Sequence, residues 1–141
     1  MANTVFKSDV KWTGTGVQCE AQTGDHVITI DEPASLGGND TGPNPVELVL
    51  DALGGCLVIL ANAFAPTHGV EVKSVSAEIE GDLDPDGFMG KSDVRPGFSA
   101  IRYKLNIESD SDSDKLSELI EHVEQACPVK DTLKGVPITR L

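Results

Sequence analysis

Pro45-Val46-Glu47-Leu48-Val49-Leu50-Asp51-Ala52-Leu53-Gly54-Gly55-Cys56-Leu57-Val58-Ile59-Leu60 is the stretch around which the rest of the chain has to be arranged. Asn44 suits an N-cap, Pro45 the first helical position, and Glu47 sits at N3 near the positive end of the helix. The helix should run to about Ala65, where Pro66-Thr67-His68-Gly69 ends it. Apolar side chains, from Val46 and Leu48 through Leu57 and Ile59 to Phe64, point all the way round it. That pattern belongs to a helix buried on most sides. At ~1.5 Å per residue it is ~30 Å long, and a chain of 141 residues, expected to form the single domain 1–141, struggles to surround it. Packing against the same helix of a second subunit solves the problem. Gly54-Gly55 costs helix propensity, ~1 kcal/mol per glycine, and close approach of another backbone would account for it.

Val46 to Ala65 approaches membrane-spanning length, but Glu47, Asp51 and Asn62 would be costly in lipid. A buried helix with no membrane partner is the better reading. Acidic residues number 23 against 11 basic, for a formal charge of -12, and residues 1–70 and 71–141 contribute -6 each. Such a surface repels phosphate backbones and anionic membranes, so nucleic-acid binding is not expected. The N-terminus, Met1-Ala2-Asn3-Thr4-Val5-Phe6-Lys7, shows no basic region followed by an apolar run. The expected setting is the cytoplasm.

On either side of the long helix the pattern is that of short strands. The first 31 residues alternate in part and are punctuated by Thr13-Gly14-Thr15-Gly16 and Thr23-Gly24-Asp25. Asp31 to Asn44 is a polar loop with Gly37-Gly38 and Gly42, long enough to be functional rather than a mere connection. Val70 to Glu80 and Phe98 to Glu108 read as strands, the second with Ile101, Tyr103, Leu105 and Ile107 on one face. The segment between them, Gly81 to Gly97, is polar and rich in turn residues. Leu116, Leu119, Ile120 and Val123 define an amphipathic helix after the acidic loop Ser109 to Asp114. That loop reads as a solvated turn and cap, since it lacks the geometry of a calcium loop.

Three cysteines are too few for a disulfide-built scaffold, and the number is odd. Cys19, which follows Val17-Gln18 in an expected N-terminal strand, reads as inert. Cys56 lies in the apolar helix and Cys127, 71 residues later, heads Cys127-Pro128-Val129. Pro128 suits the first position of a short helix, Pro128 to Lys134, closed by Gly135, which puts Cys127 at the cap, where free N–H groups favour a thiolate. Two readings stay open: two inert core thiols, or a redox pair brought together by folding. Peroxide chemistry needs a nucleophilic thiolate, a means of polarising the O–O bond, and a second thiol to condense with the sulfenic acid. Cys56 as attacking group and Cys127 as resolving group would meet the first and third needs, provided their Cα atoms come within ~4.4–6.8 Å. His26, His68 and His122 are scattered without close zinc spacing and read as surface or structural residues.

These pieces together resemble the OsmC/Ohr family, the osmotically induced and organic hydroperoxide resistance proteins. The matching stretches are Leu36-Gly37-Gly38-Asn39-Asp40-Thr41-Gly42-Pro43-Asn44-Pro45, the helix from Glu47-Leu48 to Cys56, and Cys127-Pro128-Val129, in the family's order across nearly the whole chain. Glu32-Pro33 and Ala52-Leu53-Gly54-Gly55-Cys56 look closer to the uncharacterised OsmC-like branch. The resemblance implies an α+β fold with curved antiparallel sheets around long central helices, in an intertwined homodimer with two sites at the subunit interface. It implies a thiol peroxidase acting on organic hydroperoxides or hydrogen peroxide without a cofactor or metal, with Cys56 peroxidatic and Cys127 resolving. An external dithiol or lipoylated protein would recycle it. A non-catalytic protein binding a small apolar ligand, or a thiol redox sensor, is the rival reading. The peroxidase branches hold the thiolate and peroxide with an N-terminal arginine and a glutamate directly after the helix-opening proline. Here residues 1–94 contain no arginine, and the glutamate is Glu47, one residue later. By charge, Arg102 on its strand, and then Arg95, are the nearest replacements.

Overall fold

The computed structural model describes residues 2–135 and Arg140. They fall into two compact units, Met1–Val49 and Leu50–Leu141, with the boundary inside the long helix. The fold is α+β, with antiparallel sheets and one long central helix.

In the first unit, β1 (Asp9–Trp12), β2 (Cys19–Thr23) and β3 (His26–Ile30) form an antiparallel meander. The register pairs Val10 with Ala21, Ala21 with Ile28, Trp12 with Cys19 and Cys19 with Ile30. Because side chains alternate, those six residues share one face of the sheet. This apolar face is poorly covered: Val10, Ile28 and Trp12 are exposed, Trp12 to 67%.

The loop after β3 is more ordered than its composition suggests. It contains a 3-10 turn, Ala34–Leu36, and closes around the buried carboxylate of Asp31. That carboxylate accepts from the Thr41 hydroxyl (2.6 Å) and from the N–H groups of Glu32, Asn39 and Thr41. A side chain at Gly38 would strike the Glu32 carbonyl, so the glycine lets the loop fold back on itself. The Thr41 hydroxyl, opposed by burial and assisted by the three N–H groups, holds the Asp31 carboxyl below its ordinary range. A lowered carboxyl contributes stability that is present above its unfolded pKa of ~3.9 and lost as pH falls through the lower folded value. Asp31→Asn should therefore lower Tm at pH 7, and the gap to wild type should close below about pH 4. A gap in thermal unfolding that stays constant from pH 7 to pH 2 would contradict this role.

The second unit holds the core. Helix α1 spans Pro45–Phe64 and continues as a 3-10 turn, Ala65–His68. Leu53, Leu57, Ala61 and Ala65, four apart, form its buried stripe. They pack with Leu119 and Val123 of α3 (Ser113–Ala126) against β4 (Ser74–Asp82) and β5 (Ala100–Glu108). The β5 face expected from alternation is the face that packs inward. Strand β4 starts later than the sequence suggests, at Ser74, leaving Val70 and Val72 in the connection. The Gly81–Gly97 segment contains one short helix, α2 (Pro85–Phe88), capped by Asp84.

The expectation that this chain by itself struggles to surround the long helix holds, and the reading of its paired glycines needs correction. Only Leu53, Leu57 and Ala61 of its twenty residues are buried, and Ile59 is 67% exposed, so this chain alone does not surround it. By length and composition Pro45–His68 would also suffice to cross a membrane, yet its buried stripe is committed to β4, β5 and α3. The paired glycines also differ from each other. A Cβ on Gly54 would lie 3.1 Å from Cγ1 of Ile79, so Gly54 makes room for β4 rather than for another helix, whereas Gly55 faces open space. The acidic loop, finally, serves as turn and cap: Asp112 accepts from the Asp114 N–H at 2.8 Å, and Asp110 pairs with Lys73.

Candidate active site

The buried stripe of α3 does not stop at its last turn. Leu119, Val123 and Cys127 are spaced by four, so Cys127 continues the stripe into the core and is 1% exposed. Pro128 then opens a second short helix, α4 (Pro128–Thr132), with Cys127 as its N-cap. The Cys127 sulfur accepts the Lys130 N–H at 3.3 Å, as a capping side chain does. On α1, Cys56 follows Leu53 by three residues, beside the helix's buried stripe, and is half-buried. The two sulfurs lie 2.9 Å apart, within hydrogen-bonding distance. Folding thus brings together two thiols that are 71 residues apart in the chain.

Burial pushes the Cys56 thiol above its ordinary range. Its hydrogen bond with Cys127 and the charge of that neighbour act in the same direction, and the Val129 N–H pulls part of the way back. Tyr103 projects from β5 into the same core. Burial, then the Glu124 carboxylate beside its hydroxyl, then the charge of Cys127 push its phenol up to about 12. Sequence reading missed Tyr103 and Glu124; alternation along β5 pointed Tyr103 inward but could not say what it met.

Other expected site residues lie elsewhere or do other work. Glu47 forms a capping box with Asn44: the Glu47 N–H donates to Asn44 Oδ1 at 2.9 Å, and the Asn44 N–H donates to Glu47 Oε1 at 3.4 Å. It is exposed, about two and a half helical turns before Cys56. Arg102 does not reach the thiols. It stands on the outer face of β5, forked onto Asp82 at 2.8 and 2.9 Å and bonded to Glu80, its cross-strand neighbour. Alternation put it on that face, and its acidic partners keep it there. Arg95 instead lines a cleft of about 330 Å³ with Leu53, Phe98, Tyr103, Lys130 and Lys134. Neither thiol lines this cleft; its nearest links to them are Leu53, three residues before Cys56, and Lys130, whose backbone N–H bonds Cys127.

Cys19 lies on the apolar face of the first sheet. His68 Nε2 and His122 Nδ1 are 2.9 Å apart, and His122 stacks on Phe64 at 4.1 Å between ring centroids. This pairing ties the end of α1 to α3, and nothing in the spacing of the two histidines signalled it. Among the described residues no three His, Cys, Asp or Glu side chains gather as a metal set.

The profile of the family described as "OsmC-like protein" matches residues 37–140, taking in the glycine-rich approach, the long helix and both thiols. The chain belongs to the OsmC/Ohr family. Among OsmC-family structures, that of the OsmC-like protein from Mycoplasma pneumoniae superimposes with a TM-score of 0.80 at 21% identity, covering 96% of this chain and 91% of the other. An organic hydroperoxide resistance protein OsmC from Legionella pneumophila gives 0.64 at 18% identity, covering 94% and 93%. In sequence, a hydroperoxide reductase of Mycoplasma pneumoniae is 26% identical over 98 residues, which are 67% of this chain and 64% of that protein. The chain thus matches just under two thirds of the length of that relative.

Proposed function

We propose that this OsmC-family chain is a thiol peroxidase in which Cys56 attacks the peroxide and Cys127 resolves the product. The observation that carries the reading is the 2.9 Å separation of the two sulfurs. Their approach also favours catalysis over the rival reading of a ligand-binding protein with widely separated thiols. The Cys56 thiolate attacks the distal oxygen of ROOH, the O–O bond breaks, and the leaving alkoxide takes a proton to become ROH. Cys56 is then a sulfenic acid. The Cys127 thiolate attacks its sulfur, expels hydroxide that is protonated to water, and forms the disulfide. An external dithiol or lipoylated protein restores both thiols and is itself oxidised. The sulfurs need to close by only ~0.9 Å to reach bonding distance.

One equivalent of tert-butyl hydroperoxide added to reduced protein should remove two hydrogens from its mass. Peptide mapping should then find Cys56 joined to Cys127. Reduced protein that leaves the peroxide untouched, or that oxidises at Cys19 instead, would overturn the assignment.

The working unit in this reading is an intertwined homodimer whose sheets curve around the paired central helices. The exposed apolar face of the first sheet and the exposed side of α1 support it, since both need a cover of matching chemistry. The two units, which share α1, would then complete one OsmC-like domain. Recycling by a dithiol suits the reducing cytoplasm. Gly55 supplies a direct test of helix pairing. If a second copy packs there, Gly55→Ala should weaken the dimer, seen as a shift to monomer in sedimentation. If nothing packs there, the same substitution should stabilise the protein by up to ~1 kcal/mol through helix propensity.

A further inference from the structure

The cleft near the thiols has a composition at odds with the rest of the molecule. The chain carries 23 acidic and only 11 basic residues, yet Arg95, Lys130 and Lys134 all line this one hollow. Among the described residues, Arg95 and Lys130 make no ion pair, and Lys134 has only a long one, 3.8 Å to Asp131. Leu53, Phe98 and Ile101 supply the apolar part of the same lining. Arg95 is seated from behind: a side chain at Gly87 of α2 would strike its carbonyl, so the glycine lets the two backbones touch. At about 330 Å³ the cleft is at the small end of the ~300–1,000 Å³ typical of ligand sites.

We propose that this cleft binds a small organic anion, a monocarboxylate with a short apolar body, whose charged end is held by Arg95 and Lys130 and whose body lies on Leu53, Phe98 and Ile101. Guanidinium and ammonium groups clustered on an apolar wall gain most from a ligand with both features, and a neutral ligand leaves the cations unanswered. Neither thiol lines the cleft, but Leu53 lies three residues before Cys56 on α1 and Lys130 three residues after Cys127, one turn from each thiol. As a statement about substrate this rests on the peroxidase reading, in which the preferred hydroperoxide carries a carboxylate. As a statement about binding it does not.

The test uses octanoate, which cannot be turned over, and 1-octanol as its neutral counterpart, each titrated calorimetrically into the reduced full-length protein. Octanoate should bind at least ~10-fold more tightly than octanol at low salt, and the preference should collapse near ~1 M salt, where the Debye length is ~3 Å. Arg95→Gln and Lys130→Gln should each weaken octanoate by ~5–10-fold and leave octanol unchanged. Arg102→Gln, a cation on the outer face, should change neither. Equal affinities for the two probes, a preference indifferent to salt in the wild type, no octanoate binding, or equal losses in Arg102→Gln would overturn the proposal. The wild-type salt series stands even if a variant fails to fold. Selective octanoate binding in a protein that never consumes peroxide would sink the peroxidase reading and keep the anion site. Peroxide turnover with equal kcat/KM for a neutral and a carboxylate-bearing hydroperoxide would do the reverse.

Discussion

Cys56→Ser protein should consume tert-butyl hydroperoxide no faster than dithiol and buffer alone, a loss of more than about 100-fold. Cys127→Ser should instead react once, accumulate a sulfenic acid at Cys56 that dimedone traps, and lose dithiol-supported recycling through the disulfide. The asymmetry follows from the order of bond making: the first thiol breaks the O–O bond, and the second only removes the resulting hydroxide. The pH profile of the first step should carry the mark of the site. Burial and the neighbouring Cys127 raise the Cys56 thiol, so the rate of the initial oxidation should climb through pH 8 and continue past the ordinary thiol pKa of ~8.5. Stopped-flow oxidation of single-cysteine proteins reads this directly. A plateau near pH 6 would mean an activated thiolate and a positive group that the described residues do not supply. Full activity in Cys56→Ser would end the assignment outright.

Leu57→Ala should be the most damaging substitution in the core. Its side chain is 0% exposed, at the centre of the stripe that joins α1 to α3 and the β4–β5 sheet. Truncations of this kind cost ~2.7–5 kcal/mol, and the upper part of that range applies where the surroundings cannot collapse. Leu57 is fully enclosed in a cluster drawn from α1, α3, β4 and β5, so relaxation is restricted. A domain is stable by only ~5–15 kcal/mol, so the loss should take a third or more of the total and bring the urea midpoint down with little change in slope. A cost below ~1 kcal/mol would mean that the helix is held by something other than this stripe.

The core was legible in the sequence because its signals are local. The long apolar helix, the inward face of β5 and the stripe of α3 each announce themselves by period, and the cap at Cys127 by the proline that follows it. The site was legible only in part. Cys56 and Cys127 stand out as thiols in unusual settings, but nothing local sets the distance between a mid-helix residue and a cap 71 positions on. Arg102 shows the converse failure. A strand was rightly expected to hold it firmly, but alternation turns it outward, and Glu80 and Asp82 on the adjacent strand claim its charge. Arg95 and Lys130 could not have been paired by reading along the chain, because one lies in the connection between β4 and β5 and the other in α4. Tyr103 and Glu124 are a similar case, joined across the core from a strand and a helix.

Cys127 is asked to be two things at once: a greasy filler at the end of the α3 stripe and an acceptor for the Lys130 N–H. Few natural side chains combine an apolar body with an acceptor at that reach. Serine keeps the acceptor and gives up volume; alanine keeps an apolar surface and gives up the acceptor. A single replacement at this position therefore confounds lost chemistry with lost architecture, and only the pair of them, compared for both turnover and unfolding, separates the two. If serine and alanine fail alike in turnover but part company in stability, the sulfur is needed for reaction and the cap for shape.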